Sequence, residues 1–96
     1  MSAEKTSDRI PYHKLIEFTV VTLKDGKLRF IDLTGKAVNI SASGLCFFTR
    51  YPLKAGCIVE FKDKVLQCRR AVVVWMKRAG DMYIIGARLL AADGLV

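Results

Sequence analysis

The chain holds a single histidine and a single tryptophan, only two prolines, and no long apolar run. Each scarcity excludes something. The lone imidazole, His13, has no serine or cysteine around it in a triad context, and no carboxylate pair stands apart from turn and strand-face acids. The means of nucleophilic or general acid–base catalysis are therefore not legible. No glycine-rich phosphate loop of the P-loop or dinucleotide type occurs. A binding module, not an enzyme, is predicted. Cys46, Cys57 and Cys68 are odd in number, and the ten residues between each and the next match no paired zinc-ligand spacing. No metal or resident cofactor is expected. Three buried free thiols in a reducing, cytoplasmic compartment are expected instead. No apolar stretch approaches the roughly 18–20 residues that cross a bilayer. Met1 to Asp8 is polar and mixed in charge, which predicts no secretory signal.

What is present describes a small globular domain. Apolar residues make up 52% and charged residues 26%, too apolar and too balanced for a disordered tail. Ninety-six residues suffice for one domain, with residues 1–8 as a flexible lead-in and 9–96 as the folded unit. Sixteen Lys and Arg against nine Asp and Glu give a formal charge of +7. Such an excess favours anionic partners, although solubility alone accounts for a charge of that order. The densest basic clusters are the pairs Arg69-Arg70 and Lys77-Arg78, which argues against a basic helix that reads duplex DNA.

Apolar residues recur with a period of two. Leu15 to Leu23 is rich in β-branched and aromatic residues, and Asp25-Gly26 after it is a strong hairpin signal. Leu28 to Ile31 reads as the return strand, Asp32 to Gly35 as a turn, and Lys36 to Ile40 as a third strand. Gly44 to Thr49, Cys57 to Lys62, Val65 to Met76 and Met82 to Leu90 complete the series, with a turn expected at Lys62-Asp63-Lys64. About seven short strands and no convincing helix predict an all-β, antiparallel sandwich or barrel. Ala91 to Val96 could add one helical turn at most.

One stretch carries recognisable chemistry. In Asn39-Ile-Ser41-Ala-Ser-Gly44, an amide and a hydroxyl stand at alternate positions of a strand end, so both fall on one face. Gly44 there permits a positive φ or a close approach of backbone to ligand. The same residues would equally form an Asx or Ser turn joining two strands.

Asn39-x-Ser41-x-x-Gly44 resembles the (Asp/Asn)-x-Ser-x-x-Gly signature of the PilZ domain family. The likeness continues through Leu53-Lys-Ala-Gly56, Ala71-Val-Val-Val-Trp75 and Gly86-Ala-Arg88-Leu-Leu90, in the family's order, over roughly residues 9–90. The resemblance implies a six-stranded antiparallel β-barrel that binds cyclic di-GMP and passes the signal to a protein partner. It further implies that Asn39 and Ser41 hydrogen-bond guanine, and that an Arg-x-x-x-Arg motif ahead of the first barrel strand supplies two guanidinium groups. Here that motif begins at Arg9, but its fourth residue on is His13, with Lys14 next to it. Histidine lacks the guanidinium fork, and Lys14 would offer phosphate a point charge only. The ligand set implied is thus Arg9, Asn39, Ser41 and Gly44, with His13 or Lys14 as a weakened clamp. The alternatives are a PilZ-like adaptor that works through protein contacts alone, and a basic barrel that stacks single-stranded nucleic acid.

Overall fold

The computed structural model describes residues 10–90. The lead-in, Arg9 and the expected C-terminal helical turn lie outside the described residues. Six strands follow in order: β1 (Ile10–Lys24), β2 (Lys27–Ile40), β3 (Gly44–Thr49), β4 (Ile58–Val65), β5 (Cys68–Ala79) and β6 (Met82–Leu90). Every neighbouring pair is antiparallel, and the sheet closes on itself in the order β1-β2-β3-β6-β5-β4. Two three-stranded meanders are therefore sewn together by β3–β6 and β1–β4 pairing, and no helix occurs among the described residues. Closure removes the open edges that a sheet of this size would otherwise expose.

The period-two pattern sets the interior. Ile16, Phe18 and Val20 of β1, Leu45 and Phe47 of β3, Val59 and Phe61 of β4, and Ile85 of β6 all face one apolar core. At its centre the Phe18 and Phe47 rings meet edge to face with centroids 5.3 Å apart. The connection from β3 to β4 crosses one barrel end and seals it with Leu53, which is 1% exposed. That loop is tied down by Gly56 N–H donating to Val73 O (2.7 Å) and Val73 N–H donating to Cys57 O (2.9 Å).

Three expectations need correcting. The turn expected at Asp32 to Gly35 does not exist, and β2 runs through it unbroken. Gly35 is there because rings press on the strand: a Cβ at that position would lie 2.8 Å from Phe48 O, 3.0 Å from Phe47 Cδ2 and 3.3 Å from Phe18 Cε1. The β4–β5 turn falls at Leu66-Gln67, not at Lys62-Asp63-Lys64, because β4 continues to Val65 across a register shift. Both turn residues hold positive φ, 49° and 68°. Bulky side chains tolerate that region poorly. The double substitution Leu66→Asn/Gln67→Gly supplies the residues such a turn favours. It is expected to raise stability by about 1–2 kcal/mol, read as a higher denaturant midpoint at unchanged slope. Finally, only Cys46 is fully buried, while Cys57 and Cys68 are half-buried. Burial pushes the Cys57 thiol above its ordinary pKa. In the native protein Cys46 should therefore label last, with Cys57 and Cys68 reacting at intermediate rates at neutral pH, which mass spectrometry of a timed alkylation would resolve.

A second interior-strand glycine shapes the outer wall. β5 carries an irregularity between Val73 and Trp75, so that Val74 and Trp75 are both exposed in succession. The Trp75 ring covers Gly86 of β6, where a Cβ would come within 2.1–2.6 Å of three ring atoms. Gly86→Ala is expected to lever the indole off the wall at a cost of about 1–3 kcal/mol. Trp75 is the sole tryptophan, so a red shift of the intrinsic emission would report the displacement directly.

Candidate functional site

The Asn39-to-Gly44 stretch forms the end of β2, the connecting turn and the first residue of β3. Ile40 and Leu45 on either side are anchored in the core at 4% and 1% exposure, which fixes the turn between them. Ser41 N–H donates to Gly44 O (2.9 Å), and Gly44 N–H donates to Ser41 Oγ (3.1 Å). Leu89 N–H of β6 donates to Ser43 O (2.8 Å), holding the turn against the neighbouring strand. The serine turn anticipated from composition is thus present. Among the described residues the Ser41 oxygen acts only as an acceptor, which leaves its hydroxyl proton to donate. Among the described residues the glycines at positive φ are Gly26, Gly56 and Gly80, and Gly44 is not one of them. What Gly44 contributes is the absence of a side chain on the wall.

Asn39 is half-buried on β2, opposite Pro11 of β1 and Cys46 of β3. Both pairings change register at Val38. The irregularity opens a cavity of about 360 Å³ on the outer wall, lined by Ile10, Pro11, His13, Val38 and Asn39. His13 is exposed there. It does not precede the first strand as expected: β1 already begins at Ile10, because this end of the strand finds its backbone partners on β2 at Ile40 and Asn39. The barrel therefore brings His13 and Asn39 together, with Ser41 and Gly44 at the adjoining turn. Lys14 is separated from them. It pairs with Ala37 and shares the parity of Ile16 and Phe18, so it points to the opposite side of β1 from His13. Arg9 lies outside the described residues.

A further cation stands beside this turn. Arg88 of β6 pairs with Gly44 on one side and Val72 on the other, between the buried Ala87 and Leu89. Its side chain is consequently on the outer face, exposed, beside its cross-strand partner Gly44. It forms no salt bridge among the described residues. Alternation along β6 shows that Gly86, Arg88 and Leu90 share a face, but which face is outward depends on the core contacts of Ala87 and Leu89.

The marked charge cluster of the wall lies elsewhere. Asp32 accepts hydrogen bonds from Thr19 Oγ1 (2.7 Å) and Lys62 Nζ (3.3 Å), seven positions before Asn39 along β2. Those bonds, the Thr19 one foremost, together with the Lys62 charge, hold its carboxyl below the usual range. The interaction is present above the ordinary carboxylate pKa and is lost as pH falls through the lowered value. Among the described residues no cluster of His, Cys, Asp or Glu is arranged to hold a metal ion, and no helix is long and apolar enough to cross a membrane. Comparison with protein-family models and with curated proteins finds no match for this chain.

Proposed function

We propose that the chain is a PilZ-like cytoplasmic signalling module that takes cyclic di-GMP on the outer wall beside the β2–β3 turn. The observation that carries this reading is the position of Asn39-x-Ser41-x-x-Gly44 at that turn of a closed six-stranded antiparallel barrel. Asn39 and the free Ser41 hydroxyl proton offer hydrogen bonds to a guanine edge. The cavity at His13 and Asn39, about 360 Å³, lies at the small end of ligand sites and suits one base, with the remainder of the ligand over the wall. Arg88, paired with Gly44 across β3 and β6, can meet a phosphate or a guanine edge there. Arg9 would supply the other guanidinium. Ligand binding would alter the surface that β1 and the β2–β3 turn show to a protein partner.

Isothermal titration with cyclic di-GMP tests the proposal. Saturable heat at micromolar ligand is expected, and Arg88→Ala should weaken binding by about tenfold. A flat trace would sink the nucleotide reading. One observation favours the second reading, a PilZ-like adaptor that no longer binds the nucleotide: His13 stands where the resemblance calls for arginine.

A further inference from the structure

The β1–β2 hairpin is longer than the barrel requires. β1 meets β4 only from Phe18 to Val21, and β2 meets β3 only from Lys36 to Ile40. Beyond Val21, and back along β2 from Phe30 to Lys27, the two strands pair only with each other, as a two-stranded ribbon. Asp25 and Gly26 close it, both at positive φ (53° and 75°), as a two-residue type I′ turn requires. Register then sorts the ribbon into two faces. Val21 pairs with Phe30 and Leu23 with Leu28 on one, while Thr22 pairs with Arg29 and Lys24 with Lys27 on the other.

The apolar face is uncovered. Leu23, Leu28 and Phe30 are 70%, 63% and 67% exposed. Where the ribbon leaves the barrel, residues 20–23 of β1, from both of its faces, share a cavity of about 380 Å³ with Tyr51, Pro52 and Lys54 of the β3–β4 loop. Residues 21–30 and 50–54 together carry five cations (Lys24, Lys27, Arg29, Arg50, Lys54) and one acid, Asp25. An exposed apolar tip with a tyrosine at its base and a cationic surround is the pattern that suits a polar–apolar boundary with negative charge.

We propose that this ribbon docks on an anionic lipid surface, with Leu23, Leu28 and Phe30 entering the interface and the surrounding cations meeting headgroups. The area separates a lipid surface from a second copy of the chain. Three side chains at a narrow tip offer on the order of a few hundred Å², well short of the roughly 800 Å² per partner that a stable protein pair needs. A bilayer requires no complementary shape, and lysine and arginine stems on the far face can reach past the ribbon to the headgroups. The inference is independent of the nucleotide site, since the ribbon tip and the β2–β3 turn lie at opposite ends of β2.

Co-sedimentation of the full chain with vesicles tests it. Binding is expected to vesicles of equal parts phosphatidylcholine and phosphatidylglycerol, and to fall sharply with pure phosphatidylcholine or raised salt. Each cation near such a surface is worth about fivefold. Lys24→Gln/Lys27→Gln/Arg29→Gln should therefore weaken binding by at least about tenfold. Leu23→Ser/Leu28→Ser/Phe30→Ser should do the same while leaving the far-ultraviolet circular dichroism spectrum unchanged, because these side chains lie outside the core. Three results would overturn the proposal: no difference between sedimentation with and without anionic vesicles; anionic binding that survives the serine substitutions, which would be plain adsorption of a basic barrel; or a concentration-dependent dimer that those substitutions abolish, which would make a second copy the occupant.

Discussion

Phe47→Ala is expected to take away most of the protein's stability. Phe47 is wholly buried, meets Phe18 edge to face, and closes over the bare backbone of Gly35. From its own strand, β3, it therefore packs against both β1 and β2. Removing a fully buried phenyl ring costs about 3–5 kcal/mol, part of it transfer and part the cavity left behind. Domains of this size are stable by only about 5–15 kcal/mol, so the variant should melt about 15–30 °C below the parent. Neighbouring side chains cannot easily collapse into the space, because the closed hydrogen-bonded wall fixes the distance between opposite strands. Thermal unfolding followed by circular dichroism checks the value. A loss below about 1 kcal/mol, the range of a surface substitution, would mean that Phe47 is not at the centre of the core and that the register of β3 against β2 and β6 is wrong. Gly35→Val attacks the same contact from the backbone side and should be comparably severe, since its Cβ would meet a carbonyl oxygen that cannot swing aside.

Gly35 also shows where sequence reading succeeds and where it stops. A glycine next to Asp32 and Thr34 resembles turn chemistry, and only the opposing rings of Phe18 and Phe47, far away along the chain, make it a strand residue. The seven expected strands became six for that reason. The hairpin at Asp25-Gly26 was legible because its signal is local: two residues that accept positive φ between two β-rich runs. The turn at Leu66-Gln67 was not, because neither residue is one that such a turn favours, while the polar run Lys62-Asp63-Lys64 nearby looked like a better candidate. The β2–β3 turn was placed correctly from Asn39, Ser41 and Gly44, since serine turns are written in adjacent residues. The two sides of the site that come from elsewhere in the chain were not. His13 beside Asn39, and Arg88 beside Gly44, depend on the register shift at Val38 and on the phase of β6, and both are decided by packing across strands.

That geometry sharpens what an arginine at position 13 should do. His13 belongs to β1, so its direction is set by the pairing of that strand and not by a loose leading segment. It is exposed and lines the cavity that Asn39 shares, so a longer side chain there meets solvent and ligand and leaves the core untouched. His13→Arg is therefore expected to fold as the parent does and, on the nucleotide reading, to add the second guanidinium at the spacing the PilZ resemblance calls for, four residues after Arg9. A charge-assisted bidentate hydrogen bond is worth about 1.5–3 kcal/mol, or about one to two decades of affinity. Cyclic di-GMP should thus bind at least about tenfold more tightly to His13→Arg than to the parent. Arg9→Ala should remove binding from both. Lys14→Ala gives the contrast that a general basic surface would not: Lys14 points to the other side of β1, so its loss should leave the titration unchanged even though it deletes a full positive charge. If Lys14→Ala weakens binding as much as His13→Arg strengthens it, the ligand is following net charge and not the wall at Asn39. If neither the parent nor His13→Arg gives heat, the missing guanidinium is not what limits the site, and the outer wall at the β2–β3 turn serves a protein partner instead.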